Sequence, residues 1–185
     1  MNGKPLCLII TGPGGSGKTT LSKKLAAQLR LPLVSRDEIK EGYVNTFGIG
    51  HNDLPPDTNG IVSTFFFETV TRYMSQKVSL VVEAAFQHKI WSIRVPEMLE
   101  LGNARIIICS IDPELAARRH LERALADSGR EFYHGDPSVA EYRKTGVVPP
   151  RDEYLETKLD VPTLHVSTQN EYEPNLDEIV DWIRS

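Results

Sequence analysis

Long apolar runs are missing from this 185-residue chain: nowhere do about 18 apolar residues follow one another, so no membrane-spanning helix is predicted. Cysteine is nearly missing too. Cys7 and Cys109 each lie inside a strand-like apolar run, too isolated for a disulfide or a metal site, and read as two buried free thiols. There is no basic excess, with 21 Lys and Arg against 25 Asp and Glu, a net charge of −4. That balance argues against a protein that grips nucleic acid chiefly by neutralising phosphates. Repeats, low-complexity tracts and a second domain are absent, and 40% hydrophobic with 25% charged residues is an ordinary globular mixture. One domain over residues 1–185 is the expectation. The apolar run after Met1-Asn2-Gly3-Lys4 leads straight into a glycine loop. Cleavage of a leader there would destroy the loop, so the expected location is cytoplasmic.

What is present alternates. Leu6–Thr11, Leu31–Ser35, Val78–Val82, Ala104–Ile111 and Val161–Val166 read as five short strands, with Pro32 weakening the second. Helical spacing separates them: Leu21, Leu25 and Leu29; Val62 through Tyr73; about 88–101; and 112–127, where Ala117, Leu121, Ala124 and Leu125 align. A last helix starts at Asn175, with Glu178 at the capping-box distance. Residues 46–60 read as a long loop, and 128–150, with three glycines and three prolines, as a mobile excursion from the core. Strands alternating with helices imply right-handed βαβ units and a parallel sheet between helical layers.

Gly12-Pro13-Gly14-Gly15-Ser16-Gly17-Lys18-Thr19 fits G-x-x-x-x-G-K-[ST] without gaps, between an apolar strand and a periodic helix. This is a P-loop (Walker A). Its backbone N–H groups curl around phosphate oxygens, and the helix that opens near Lys18 aims its positive end at the same anion. Lys18 is placed to reach the β- and γ-phosphates and the Thr19 hydroxyl to ligate Mg²⁺, with Thr20 next in the cradle. ATP and Mg²⁺ are therefore the expected cofactors. Other users of such a loop lack their signatures here. There is no Asn-Lys-x-Asp guanine reader and no Leu-Ser-Gly-Gly-Gln run, nor an apolar strand ending in paired acids. Asp57-Thr58-Asn59-Gly60 has D-x-x-G spacing but sits in a proline-rich loop rather than at a strand end.

With the loop, Ser35-Arg36-Asp37-Glu38-Ile39, Val82-Glu83-Ala84-Ala85-Phe86 and the arginines from Arg118 to Arg130, the sequence resembles the P-loop kinase group. That group includes chloramphenicol phosphotransferase, zeta toxins and the kinase domain of polynucleotide kinase. The resemblance implies a three-layer α/β/α P-loop fold, a five-stranded parallel sheet in the order 2-3-1-4-5 and an arginine-bearing lid. It also implies a kinase that moves the γ-phosphoryl group of ATP to an acceptor hydroxyl without fixing the substrate; the acidic charge balance makes a small-molecule acceptor the expectation. A 5′-hydroxyl polynucleotide kinase is the alternative within enzymes. A nucleotide-binding regulatory or toxin-like protein without turnover is the alternative outside them. A monomer or a homodimer fits equally.

By the same resemblance Asp37 faces the acceptor hydroxyl, where a carboxylate accepts or orients the proton. The bland alternative is a capping box between Ser35 and Glu38 that leaves Asp37 as a first-turn acid. Arg36 either supports the acceptor or is a surface arginine. Glu83 ends an apolar strand and so emerges at the carboxyl edge, to hold Mg²⁺ through water, bind the acceptor or form a structural ion pair. Arg119 and Arg123, four apart, share a helical face and suit a phosphate clamp or an adenine stack, or else a charged face with Glu122 and Asp127. Arg118 lies about 100° round the helix from Arg119. Arg130 falls in the presumed lid near His134. His165 is expected in the core, and Phe65-Phe66-Phe67 as packing with one ring at an acceptor pocket.

Overall fold

A computed structural model describes residues 3–185. Among them are five strands, β1 (Leu6–Thr11), β2 (Leu33–Ser35), β3 (Leu80–Glu83), β4 (Asn103–Ser110) and β5 (Thr163–Ser167). All pair in parallel in the order β2-β3-β1-β4-β5. The helices are α1 (Lys18–Leu29), α2 (Arg36–Phe47), α3 (Thr58–Ser75), α4 (His88–Leu101), α5 (Pro113–Ala126), α6 (Arg130–His134), α7 (Ser138–Thr145) and α8 (Leu176–Arg184).

The near-continuous apolar strands at the middle of the sheet, β3, β1 and β4, are largely buried on both faces, as a parallel sheet requires. Alternate side chains along β1 divide between two cores. Cys7 and Ile9 pack with Phe66, Met74, Trp91 and Met98 on one side of the sheet. Leu8 and Ile10 pack with Leu21, Leu25, Ile179 and Ile183 on the other. No helix among the described residues is long and apolar enough to cross a membrane.

Several local readings change. The 46–60 loop is shorter than its composition implied, because α2 runs to Phe47, a 3-10 turn covers His51–Asp53, and α3 begins at Thr58. The 128–150 excursion contains α6 and α7. His165 is exposed on β5 and bonds Glu156 at 3.2 Å instead of packing in the core, because β5 is an edge strand. Leu125 is also exposed, so the apolar stripe of α5 runs through Ala116, Ala117, His120, Leu121 and Ala124. Phe66 and Phe67 are core while Phe65 faces outward. The Asn175–Glu178 capping box forms in full at the start of α8.

Candidate functional site

The glycine loop sits at the carboxyl end of β1, where ligands bind in open α/β sheets. Its backbone admits no other residues at two points. Gly12 has φ +146°, and a Cβ there would lie 2.5 Å from the Cys109 carbonyl; Gly15 has φ +86°, and its Cβ would collide with the Ala116 carbonyl. The loop is thus clamped between β4 and α5, and Thr168 ties it from a third side by donating to the Ser16 carbonyl at 2.8 Å. The Ser16 hydroxyl is buried with no hydrogen-bond partner among the described residues. A rigid cradle of N–H groups with a spare hydroxyl, ahead of the α1 N-terminus, is the chemistry a polyphosphate needs. The residues present fit a nucleotide with its metal.

Lys18, the first residue of α1, is buried and lies 3.7 Å from Glu83 Oε1. The other Glu83 oxygen accepts from the Ser35 hydroxyl at 2.9 Å. Registry explains the meeting: Ser35 of β2 and Ile10 of β1 flank Glu83 of β3. Glu83 therefore takes the ion-pair position weighed from sequence, within a buried Ser35–Glu83–Lys18 chain. Because the Ser35 side chain is spent on Glu83, it does not cap α2. The capping-box alternative for Asp37 is therefore gone.

Asp37, in the first turn of α2, is half-exposed and 3.6 Å from the Arg36 guanidinium. Burial alone would raise its carboxyl, but the charges of Lys18, His134, Arg36 and Arg130 outweigh this and hold it below the usual carboxylate range. Arg36 also donates to the Asn59 side chain at 2.8 Å.

The arginines of α5 separate. Arg119 donates to the backbone carbonyls of Thr168 and Gln169, at 2.9 and 2.7 Å. It thereby borders a cleft of about 480 Å³ with Gly17, Thr20, Lys24, Asn170 and Tyr172. Arg123 feels a different set of charges: desolvation and then Arg130 lower its guanidinium, against Asp37, Glu83 and Asp136. Arg118 is exposed. Arg130 is largely buried, its Nε 3.8 Å from Asp136.

Four groups were not found from sequence. His120 is buried on α5, bonded to Asp136 and 3.0 Å from Arg151, and its Nδ1 is buried with no hydrogen-bond partner among the described residues. Arg151 Nη2 and His120 Nδ1 would lie 3.1 and 3.3 Å from a Cβ on Gly14, so both abut the loop. Lys40 is buried beside Asp37 on α2. The signal for His120 was available: it lies three and four residues after Ala117 and Ala116, on the apolar stripe. For Lys40 it was the same spacing from Asp37 and Arg36. Asp136 and Arg151 carry no local signal, because they reach the site only through the path of the 128–151 segment.

The AAA domain family model matches residues 7–141. A candidate kinase from Chloroflexus aurantiacus j-10-fl is 26% identical over 98% of this chain and 97% of its own, with a TM-score of 0.77. An APS kinase from Mycobacterium tuberculosis, bound to AMPPNP and APS, superposes over 98% of this chain and 99% of its own with a TM-score of 0.64 at 13% identity. A gluconokinase from Sinorhizobium meliloti 1021 gives 0.56 at 15%, over 97% and 92% of the two chains. No curated protein matches the sequence. A larger cleft of about 770 Å³ lies at the opposite, amino-terminal edge of the sheet, near Leu6, Asn103 and Ile183, away from all of these groups.

Proposed function

We propose that this chain, which belongs to the AAA domain family and has the P-loop kinase fold, transfers the γ-phosphoryl group of ATP to a hydroxyl of a small-molecule acceptor. Family membership covers the nucleotide cradle, and the rest of the reading comes from this chain's own residues. The observation that carries it is Asp37 in the first turn of α2, 3.6 Å from the Arg36 guanidinium, where the charges of Lys18, His134, Arg36 and Arg130 outweigh burial and hold its carboxyl below the usual range.

When bound, ATP–Mg²⁺ supplies the phosphoryl group and the ADP leaving group. Gly12 to Thr20 hold the phosphates, and Thr19, with Glu83 through water, suits the metal. Lys18 turns from Glu83 toward the phosphates, and Arg119 frames the cleft for the nucleoside. Asp37 accepts the acceptor's proton while the new oxygen–phosphorus bond forms and the bond to the β,γ-bridging oxygen breaks. Arg123 and Arg130 stabilise the charge on the phosphoryl oxygens, as a guanidinium fork does well. Arg36 borders the acceptor, and 128–150 acts as the lid that excludes water.

Incubation with γ-labelled ATP, Mg²⁺ and pools of hydroxylated small molecules should label one pool with wild type and none with Lys18→Ala. Nucleotide binding with no labelled product in any pool would favour a binding protein without turnover.

A further inference from the structure

One turn beyond Asp37, α2 buries a lysine that has no carboxylate to meet it. Lys40 is 4% exposed, and among the described residues no Asp or Glu oxygen comes within ion-pair distance of its Nζ. One hydrogen bond, to the His134 carbonyl at 3.3 Å, uses one of its three protons. Burial lowers the ammonium to about 8, and the Arg36 and Arg130 charges push the same way while Asp37 opposes.

The neighbours repeat the pattern. Arg36 stands four residues before Lys40, so two cations share one helix face, where like charges repel. Among the described residues the Nε of Arg36 and the Nδ1 of His51 are buried with no hydrogen-bond partner, and the Nε of Arg130 has only Asp136, at 3.8 Å. His51 is lowered first by burial and then by Lys40, His134 and Arg36. The acids facing this group are Asp37, already beside Arg36, and Glu41, which bonds His134 at 3.0 Å. Asp136 is engaged by His120 and Ser138. A cluster of cations with spare donors, desolvated and short of counter-charge, is costly unless an anion completes it.

We propose that the acceptor carries an oxyanion, a carboxylate or a phosphate, received by Lys40 and Arg36 with His51 at its margin, one helical turn from the hydroxyl presented to Asp37. A turn of α2 rises about 5.4 Å, so the anion and the reacting hydroxyl sit a few bonds apart on one small molecule. The nucleotide does not meet this need, because its phosphates lie at the loop, where Lys18 and the α1 N-terminus serve them. The inference rests on the kinase reading for the role of Asp37, but the anion subsite is tested without turnover.

The test is calorimetric titration of wild type, with and without saturating AMPPNP–Mg²⁺, using glycerol 3-phosphate, glycerate and glycerol as probes. Both anions should bind with millimolar affinity and glycerol should not. Lys40→Met should weaken both anions by about tenfold or more, Lys40→Arg should restore them to within about threefold, and AMPPNP affinity should stay within about twofold in each. Should Lys40→Met fail to fold, Arg36→Gln carries the same expectation for the anions. The relative strength of the two anions tells phosphate from carboxylate. Failure of both anions to bind wild type overturns the proposal, as do equal affinity for glycerol and undiminished affinity in Lys40→Met. That last result would leave Lys40 as a pin for α6. Failure of AMPPNP to bind would strike the nucleotide reading instead, with the anion titrations still decisive by themselves.

Discussion

At the scale of single residues, the question is whether Asp37 moves a proton or merely begins a helix. Asn keeps its shape and its place in the first turn but accepts no proton. Asp37→Asn should therefore leave melting temperature and nucleotide affinity unchanged and lower phosphoryl transfer by about 10²–10⁴. A loose transition state puts the loss toward the low end. Turnover within about threefold of wild type would assign Asp37 to structure. His120 makes a second prediction. Burial and the Arg151 charge hold its imidazole at about 4, against 6.5 ordinarily, so the folded state resists protonation that the unfolded chain accepts. The stabilising contribution is complete above 6.5 and is lost as pH falls from there toward 4. Melting temperature should fall across that window, and His120→Gln should flatten the fall.

At the scale of elements, the chain announced itself unevenly. β1, the limits of α4 and the α8 capping box were legible because each is written locally, in a continuous apolar run, a periodic stripe or a three-residue spacing. Asn175→Ala should remove the box at a cost of about 1 kcal/mol, or about 2–4 °C in melting temperature. α6 and α7 were not legible. They are short, rich in glycine and proline at their ends, and held by contacts made far away in sequence, such as Tyr133 donating to Asn45 at 3.0 Å. The site divides the same way. The P-loop is contiguous and was read whole, whereas the Lys18–Glu83–Ser35 chain depends on strand order and register. The segment 128–150 should be cut by protease in the free protein and protected by AMPPNP–Mg²⁺; equal cutting in both states would leave the lid unsupported.

At the scale of the whole molecule, a ligand that binds only the folded chain raises its stability by mass action. ATP–Mg²⁺ at about 100 times its Kd adds roughly 2.7 kcal/mol, a melting shift of roughly 5–10 °C, which Lys18→Ala should largely abolish. Charge acts at the same scale. Residues 152–185 hold nine acids against Lys158 and Arg184, so the cationic cluster on α2 is a local island on a chain of net charge −4. Oligonucleotides should accordingly bind weakly at physiological salt. Submicromolar affinity there would point to a polynucleotide acceptor.

The two thiols inside the sheet have a practical use. Cys7 and Cys109 are wholly buried on β1 and β4, and burial pushes each up to about 12. A thiol so held does not alkylate, because the reactive species is the thiolate and no reagent reaches it. Modification must wait until the central strands part, which makes the pair a built-in clock for opening of the sheet. The slowing of alkylation by a nucleotide or an acceptor would then measure how tightly each is held, with no turnover required and before the acceptor has been identified.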